Sequence, residues 1–179
     1  LKLLAASILF DSPVEFTNVP QIEDVFRMNE LLEKLGAKVK KSGDHALTIE
    51  PKSIKKSDLD PEIAKRFRAS IVAIGGLLGR FGRSTLPHPG GCVIGERPID
   101  IFIDGLAAMN VMHRETDELH IFETKKLKGA DFTFRVPSVT ATETLMIAAV
   151  KADGKTISVT TERESAACEM CRLKPMERR

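Results

Sequence analysis

A chain of 179 residues is long enough for one domain, or two small ones, around a buried core. Apolar residues make up 42% and charged residues 29%, a globular balance, and a net charge of +2 gives no reason to expect a nucleic-acid partner. Trp and Tyr are absent, which removes the usual stacking platforms, and no apolar run reaches the roughly 18 residues of a membrane span.

Leu1, Leu4, Ala5 and Ile8 recur at helical spacing, so the chain is expected to open with a helix over 1–10. This apolar start lacks a basic leader and a small-residue cleavage site, and reads as the inside of a domain rather than a signal peptide. Asp11-Ser12-Pro13 breaks the helix before a short strand at 14–17. A second helix carries Val25, Met28, Leu32 and Leu35 on one stripe, and Gly36 is placed to end it. Strands are expected at 38–41 and 46–50, with Ser42-Gly43-Asp44 between them.

The order then recurs. An apolar helix is expected over 68–80, a strand over 84–87, a Pro/Gly loop, a helix over 99–109, and strands over 111–114 and 119–123. A third start follows with a helix over 142–152, a strand over 156–159 and a helical stretch after Arg163. The helix starts repeat about every 70 residues, beyond solenoid periods. The expected fold class is therefore α/β, with three repeated α/β units packed around central helices and the third incomplete. Each unit alone would leave an apolar helix face bare. No linker separates the units, so 1–179 reads as a single domain, truncated at both ends.

The most informative stretch is Pro89-Gly90-Gly91-Cys92-Val93-Ile94-Gly95-Glu96-Arg97-Pro98-Ile99-Asp100. Its glycines let backbone approach a ligand closely. Its one nucleophile is Cys92, whose thiol has an ordinary pKa of about 8.5 that a neighbouring cation lowers. Arg97 suits both that task and the binding of phosphate.

Pro89-Gly90-Gly91-Cys92 followed by Gly95-x-Arg97-Pro98-x-Asp100 resembles the signature loop of the UDP-N-acetylglucosamine enolpyruvyl transferases. Asn18-Val19-Pro20, Leu35-Gly36-Ala37, Arg68-Ala69-Ser70, Arg80-Phe81-Gly82, Leu127-Lys128-Gly129-Ala130 and Ser138-Val139-x-Ala141-Thr142 extend the likeness over about 1–164, in the family's order. The resemblance implies a two-domain fold of three α/β units per domain, with the active site between domains. It implies transfer of the enolpyruvyl group of phosphoenolpyruvate to UDP-N-acetylglucosamine, in the cytoplasm, for peptidoglycan synthesis, with no cofactor and no metal. Cys92 matches the catalytic general acid. Arg68, Arg97, Pro98, Ile99, Asp100 and Ile101, with Val136, Pro137, Ser138 and Val139, match substrate-binding positions. The family's second domain and its Lys-Asn pair are expected to fall outside the stretch 1–179, the pair just before Leu1, and His88 stands where an apolar residue is usual. The competing readings are a non-catalytic nucleotide-sugar-binding remnant, a shikimate-pathway enolpyruvyl transferase, which would lack the loop cysteine, and an RNA terminal phosphate cyclase.

Cysteines 92, 168 and 171 form no disulfide framework, and Cys168-x-x-Cys171 is half a zinc site at most. His45, His88, His113 and His120 are scattered in sequence and read as structural or surface residues. Arg80 and Arg83 read as surface charges, and Lys125, Lys126 and Lys128 as a solvated turn.

Overall fold

The computed structural model describes residues 1–88 and 99–159. The chain opens with α1 (Lys2–Ala6), which tightens into a 3-10 turn (Ser7–Leu9) and leads to β1 (Val14–Phe16). Next come α2 (Glu23–Leu35), β2 (Lys38–Gly43) and β3 (Ala46–Glu50). Val25, Met28, Leu31, Leu32 and Leu35 form the buried stripe of α2. Gly36 ends it at φ 110, a left-handed backbone that favours glycine, and its N–H closes on the carbonyls of Leu32 and Glu33. The three strands form an antiparallel sheet in the order β1-β3-β2. β2 runs two residues past its expected end. Its register shifts between Lys41 and Gly43, and the Ser42 and Thr48 hydroxyls meet across the pair at 2.9 Å, moving the turn to Asp44 and His45.

The second unit has the same plan. α3 (Pro61–Arg66) and a 3-10 turn (Arg68–Val72) lead into α4 (Ala73–Phe81), then β4 (Arg83–Pro87). After the segment 89–98 come α5 (Asp100–Ala108), β5 (Met112–Glu115) and β6 (Leu119–Glu123). The sheet order β4-β6-β5 repeats that of the first unit, again antiparallel. A parallel bridge from Asp58 to Thr85 adds a minimal strand beside β4. In the third unit the described residues form β7 (Asp131–Thr133), α6 (Val139–Ala149) and β8 (Ile157–Val159), with β7 and β8 parallel. The helical stretch expected after Arg163 lies outside the described residues.

The expected central helices are indeed gathered together. α4 buries Ala73, Ile74, Gly75, Gly76, Leu77 and Leu78 and packs against both α6 and α1 with its 3-10 turn. Glycines make this approach possible. A Cβ on Gly75 would lie 2.2 Å from the Thr144 carbonyl oxygen, and one on Gly76 would lie 3.0 Å from both the Ala5 carbonyl oxygen and Ile8 Cβ. Lys2 on α1 pairs with Glu143 on α6 at 3.3 Å, closing the third side.

Three local differences from the sequence reading have physical causes. The helix expected over 68–80 divides into a 3-10 turn and α4. α6 starts at Val139 rather than Thr142, because Ser138 caps it: its Oγ accepts from the Ala141 N–H at 3.3 Å. Arg80 is no surface charge. Its side chain is 16% exposed, and its guanidinium donates to the carbonyls of Ile8 and Phe10 at 2.9 and 2.8 Å, satisfying the end of the first helical segment.

Gly75→Ala gains a little helix propensity but forces a methyl into backbone. It is expected to cost about 2 kcal/mol or more, the scale of core overpacking. Gly43→Ala, whose new Cβ would meet nothing closer than Ala46 Cβ at 3.9 Å, should leave stability within about 0.5 kcal/mol. Urea unfolding midpoints of the two variants compare them directly; equal midpoints would remove the close helix contact as a constraint.

Candidate functional site

The described site positions cluster around α6 and its neighbours. Ile99 is the residue before α5 and packs against the core, Asp100 opens the helix with its side chain exposed, and Ile101 is half-buried one residue on. α5 rests closely on α6 at Gly105: a Cβ there would lie 2.3 Å from Leu145 Cδ1, so any larger residue would require the Leu145 side chain to move.

Across from α5, β7 leads through Phe132 and Phe134, whose rings meet edge to face at 5.1 Å, into the connection before α6. Phe134 is buried and anchors that connection, while Val136 and Pro137 are exposed. Val139, the first residue of α6, is also exposed. Arg135 reaches back to Asp104 on α5 and pairs with it at 2.7 Å. Ile101, Asp104 and Gly105 on one wall, with Phe132, Thr133, Phe134 and Arg135 on the other, line a narrow groove. The structure therefore brings the 99–101 strip and the approach to the 136–139 strip to one place. Arg68, exposed at the start of its 3-10 turn, belongs to an element that packs on α6 as well. Cys92, Arg97 and Pro98 lie outside the described residues, as do Cys168 and Cys171.

Sequence reasoning missed a second cluster. His88 meets His113 and His120, the latter two on one hairpin, on the β4-β6-β5 sheet. His120 is buried, with its ring centroid 4.2 Å from that of His88 and 5.3 Å from that of His113. His120 Nδ1 and His113 Nε2 share a hydrogen bond of 3.1 Å, and His88 Nε2 donates to the Thr116 carbonyl at 2.7 Å. Glu115 Oε1 stands 3.6 Å from His88 Nε2 and 3.9 Å from His120 Nδ1. The hairpin register explains the meeting, since His120 pairs with both Leu86 and Glu115. Two histidines on adjacent hairpin strands were the available signal, but it is readable only once that register is known.

Arg83 is tied into the second unit, pairing with Asp58 at 2.6 Å and Glu123 at 3.3 Å. Lys126 pairs with Asp153, and Asn110 Nδ2 donates to the Lys126 carbonyl, so this turn is fastened rather than merely solvated.

The helix-centred repeat, the two like sheets and the groove beside α6 define an enolpyruvyl-transferase fold. A family model for EPSP synthase (3-phosphoshikimate 1-carboxyvinyltransferase) matches residues 1–172, and the chain belongs to that family. It is 42% identical over 177 residues to a UDP-N-acetylglucosamine 1-carboxyvinyltransferase of Prochlorococcus marinus (strain MIT 9515), covering 97% of this chain and 38% of that protein. A protein of the same name from Cellvibrio japonicus is 39% identical, over 97% of this chain and 41% of its own length. The chain thus spans about two fifths of these relatives. Among solved structures, the enolpyruvyl transferase NikO from Streptomyces tendae superposes with a TM-score of 0.73 at 19% identity, over 88% of this chain and 37% of that one. EPSP synthase from Acinetobacter baumannii gives 0.70 at 18%, over 93% and 40%.

The His120 imidazole is held below its ordinary pKa of 6.5, chiefly by burial and next by His88, with Glu115 opposing and His113 adding to the fall. The unfolded chain therefore binds its proton first as pH drops. Stability from this group is full above about pH 6.5 and is lost as pH falls below that value. His120→Gln should flatten the acid limb of a plot of urea midpoint against pH below about 6.5. An unchanged limb would show that His120 does not set it.

Proposed function

We propose that this chain is the cysteine-loop part of an enzyme that transfers the enolpyruvyl group of phosphoenolpyruvate to the 3′-hydroxyl of UDP-N-acetylglucosamine, releasing phosphate, in cytoplasmic synthesis of peptidoglycan precursors. The observation that carries this reading is the 42% identity over 177 residues to a carboxyvinyltransferase of that specificity, together with the Gly90-Gly91-Cys92 loop. A shikimate-type specificity has less support, since the relatives at 38–44% identity carry the UDP-N-acetylglucosamine name.

In this reading the sugar hydroxyl oxygen bonds to C2 of phosphoenolpyruvate while the Cys92 thiol gives its proton to C3. The hydroxyl proton passes to a base from the second domain, the remaining part of the cleft. The tetrahedral adduct then expels phosphate from C2, and a C3 proton departs to regenerate the enol ether. Arg97 and Arg68 meet phosphate and carboxylate charge. The strips at 97–101 and 136–139 hold the uridine nucleotide, a role supported by the groove that joins their neighbouring residues beside α6.

A chimera carrying residues 1–172 in place of the matching segment of the Prochlorococcus marinus relative tests the assignment. It should release phosphate from phosphoenolpyruvate only when UDP-N-acetylglucosamine is present. Cys92→Ser, with an acid far too weak for the step, should lower turnover at least about 100-fold, the scale of a lost general acid. Cys92→Asp should retain part of it, because nearby phosphate charge raises a carboxyl pKa. A fully active Cys92→Ser chimera sinks the role of Cys92. In calorimetry with the nucleotide sugar, Arg97→Ala should weaken binding about tenfold or more, as loss of a charge-assisted contact does, and Arg83→Ala far less. Equal effects of the two changes would remove Arg97 from the site.

A further inference from the structure

We propose that His88, Glu115 and His120 form a binding site for a transition-metal ion of the zinc type, separate from the substrate groove. Each of the three side chains offers one donor atom, and these atoms all lie within 4.8 Å of one another. The Glu115 oxygen is 3.6 Å from the His88 nitrogen and 3.9 Å from the His120 nitrogen. Ligand atoms about 2.0–2.1 Å from a tetrahedral zinc ion stand about 3.3 Å apart, so small side-chain movements close the set around an ion. Two imidazoles and a carboxylate are a donor set that holds zinc with a fourth position open to water.

The scaffold favours these ligands over an incidental surface group. His120 and Glu115 face one another in the β5–β6 register, and His88 directly follows β4, the other neighbour of β6. The His88 backbone is fixed as well, its N–H donating to the Glu118 carbonyl at 3.0 Å. All three ligands thus come from one three-stranded sheet, and binding orders little besides the exposed Glu115 side chain. His120 is 6% exposed, so an ion there is bounded by protein on one side and reached from solvent on the Glu115 side. Binding has a definite cost. His120 Nδ1 gives up its bond to His113, and His88 Nε2 gives up its bond to the Thr116 carbonyl. The net worth of two neutral hydrogen bonds is well below the binding free energy of a multidentate zinc site.

Calorimetric titration of the 179-residue chain with zinc chloride tests the site, with the three cysteines carboxamidomethylated so that thiolates do not compete. Co²⁺ as a spectroscopic stand-in reports the donor geometry through its visible absorption. The expected result is one saturable equivalent. Glu115→Gln and His88→Asn should each weaken it about tenfold or more, with folding checked by an unchanged far-UV circular dichroism spectrum. His45→Gln, whose ring bonds the Val19 carbonyl in the first unit, should bind as the parent does. His113→Gln should bind at least as tightly as the parent, because it removes the competing hydrogen bond. Absence of a saturable equivalent overturns the site, as do folded Glu115→Gln and His88→Asn chains that bind like the parent. A His113→Gln loss as large as theirs overturns the ligand set.

Discussion

The close seating of α4 against α6 and α1 is the constraint on which the other elements depend. Gly75 brings α4 so near α6 that a single methyl would collide with the Thr144 carbonyl, and at Gly76 a methyl would crowd Ala5 and Ile8 at 3.0 Å. Helices packed this tightly exclude water along their whole contact, so Ile8, Ile74, Leu77, Leu78, Leu145 and Ile147 become one core. The sheets are then left to cover the outer faces of the second helix in each of the first two units. No unit can be lifted away without baring a continuous apolar helix face, which explains why the three share one interior.

The same device places the candidate site. α5 meets the Leu145 side chain of α6 at Gly105, and the start of α5 comes to lie beside the connection that Phe134 anchors. The segment 89–98 is attached at both ends to fixed elements. β4 precedes it, paired to β6 along its whole length, and α5 follows it.

Charged groups serve mainly as fasteners. Arg80 lies under the end of the first helical segment and accounts for two carbonyls there, and its partner Asp11 is 90% exposed, so their 3.8 Å ion pair contributes little by comparison. Arg83 and Arg114 converge on Glu123, tying β4, β5 and β6 into one polar edge. The Asp104–Arg135 pair spans the groove at its surface, where solvent screening keeps its energetic weight small while its geometry still joins the two walls.

Much of this was written in the local sequence. The stripe Val25, Met28, Leu32 and Leu35, the stop at Gly36 and the recurrence of helix starts dictated the units, because burial on one helix face leaves a period that is visible without neighbours. The loop around Cys92 was legible as a family motif, because its run of residue types is contiguous in sequence. The helix α3 went unread: Asp60 caps Glu62 and Ile63 and the missing N–H of Pro61 costs nothing there, but the segment is too short to show a period. The start of α6 was hidden for the opposite reason: Ala141, Thr142, Thr144, Leu145, Ile147 and Ala148 are buried around most of its circumference, so no polar face marks where it begins. Tertiary structure alone decided that Gly75 and Gly105 are contact points rather than weak spots in helices. It alone gathered His88, Glu115 and His120, because strand register, set by the whole sheet, determines which side chains stand opposite one another.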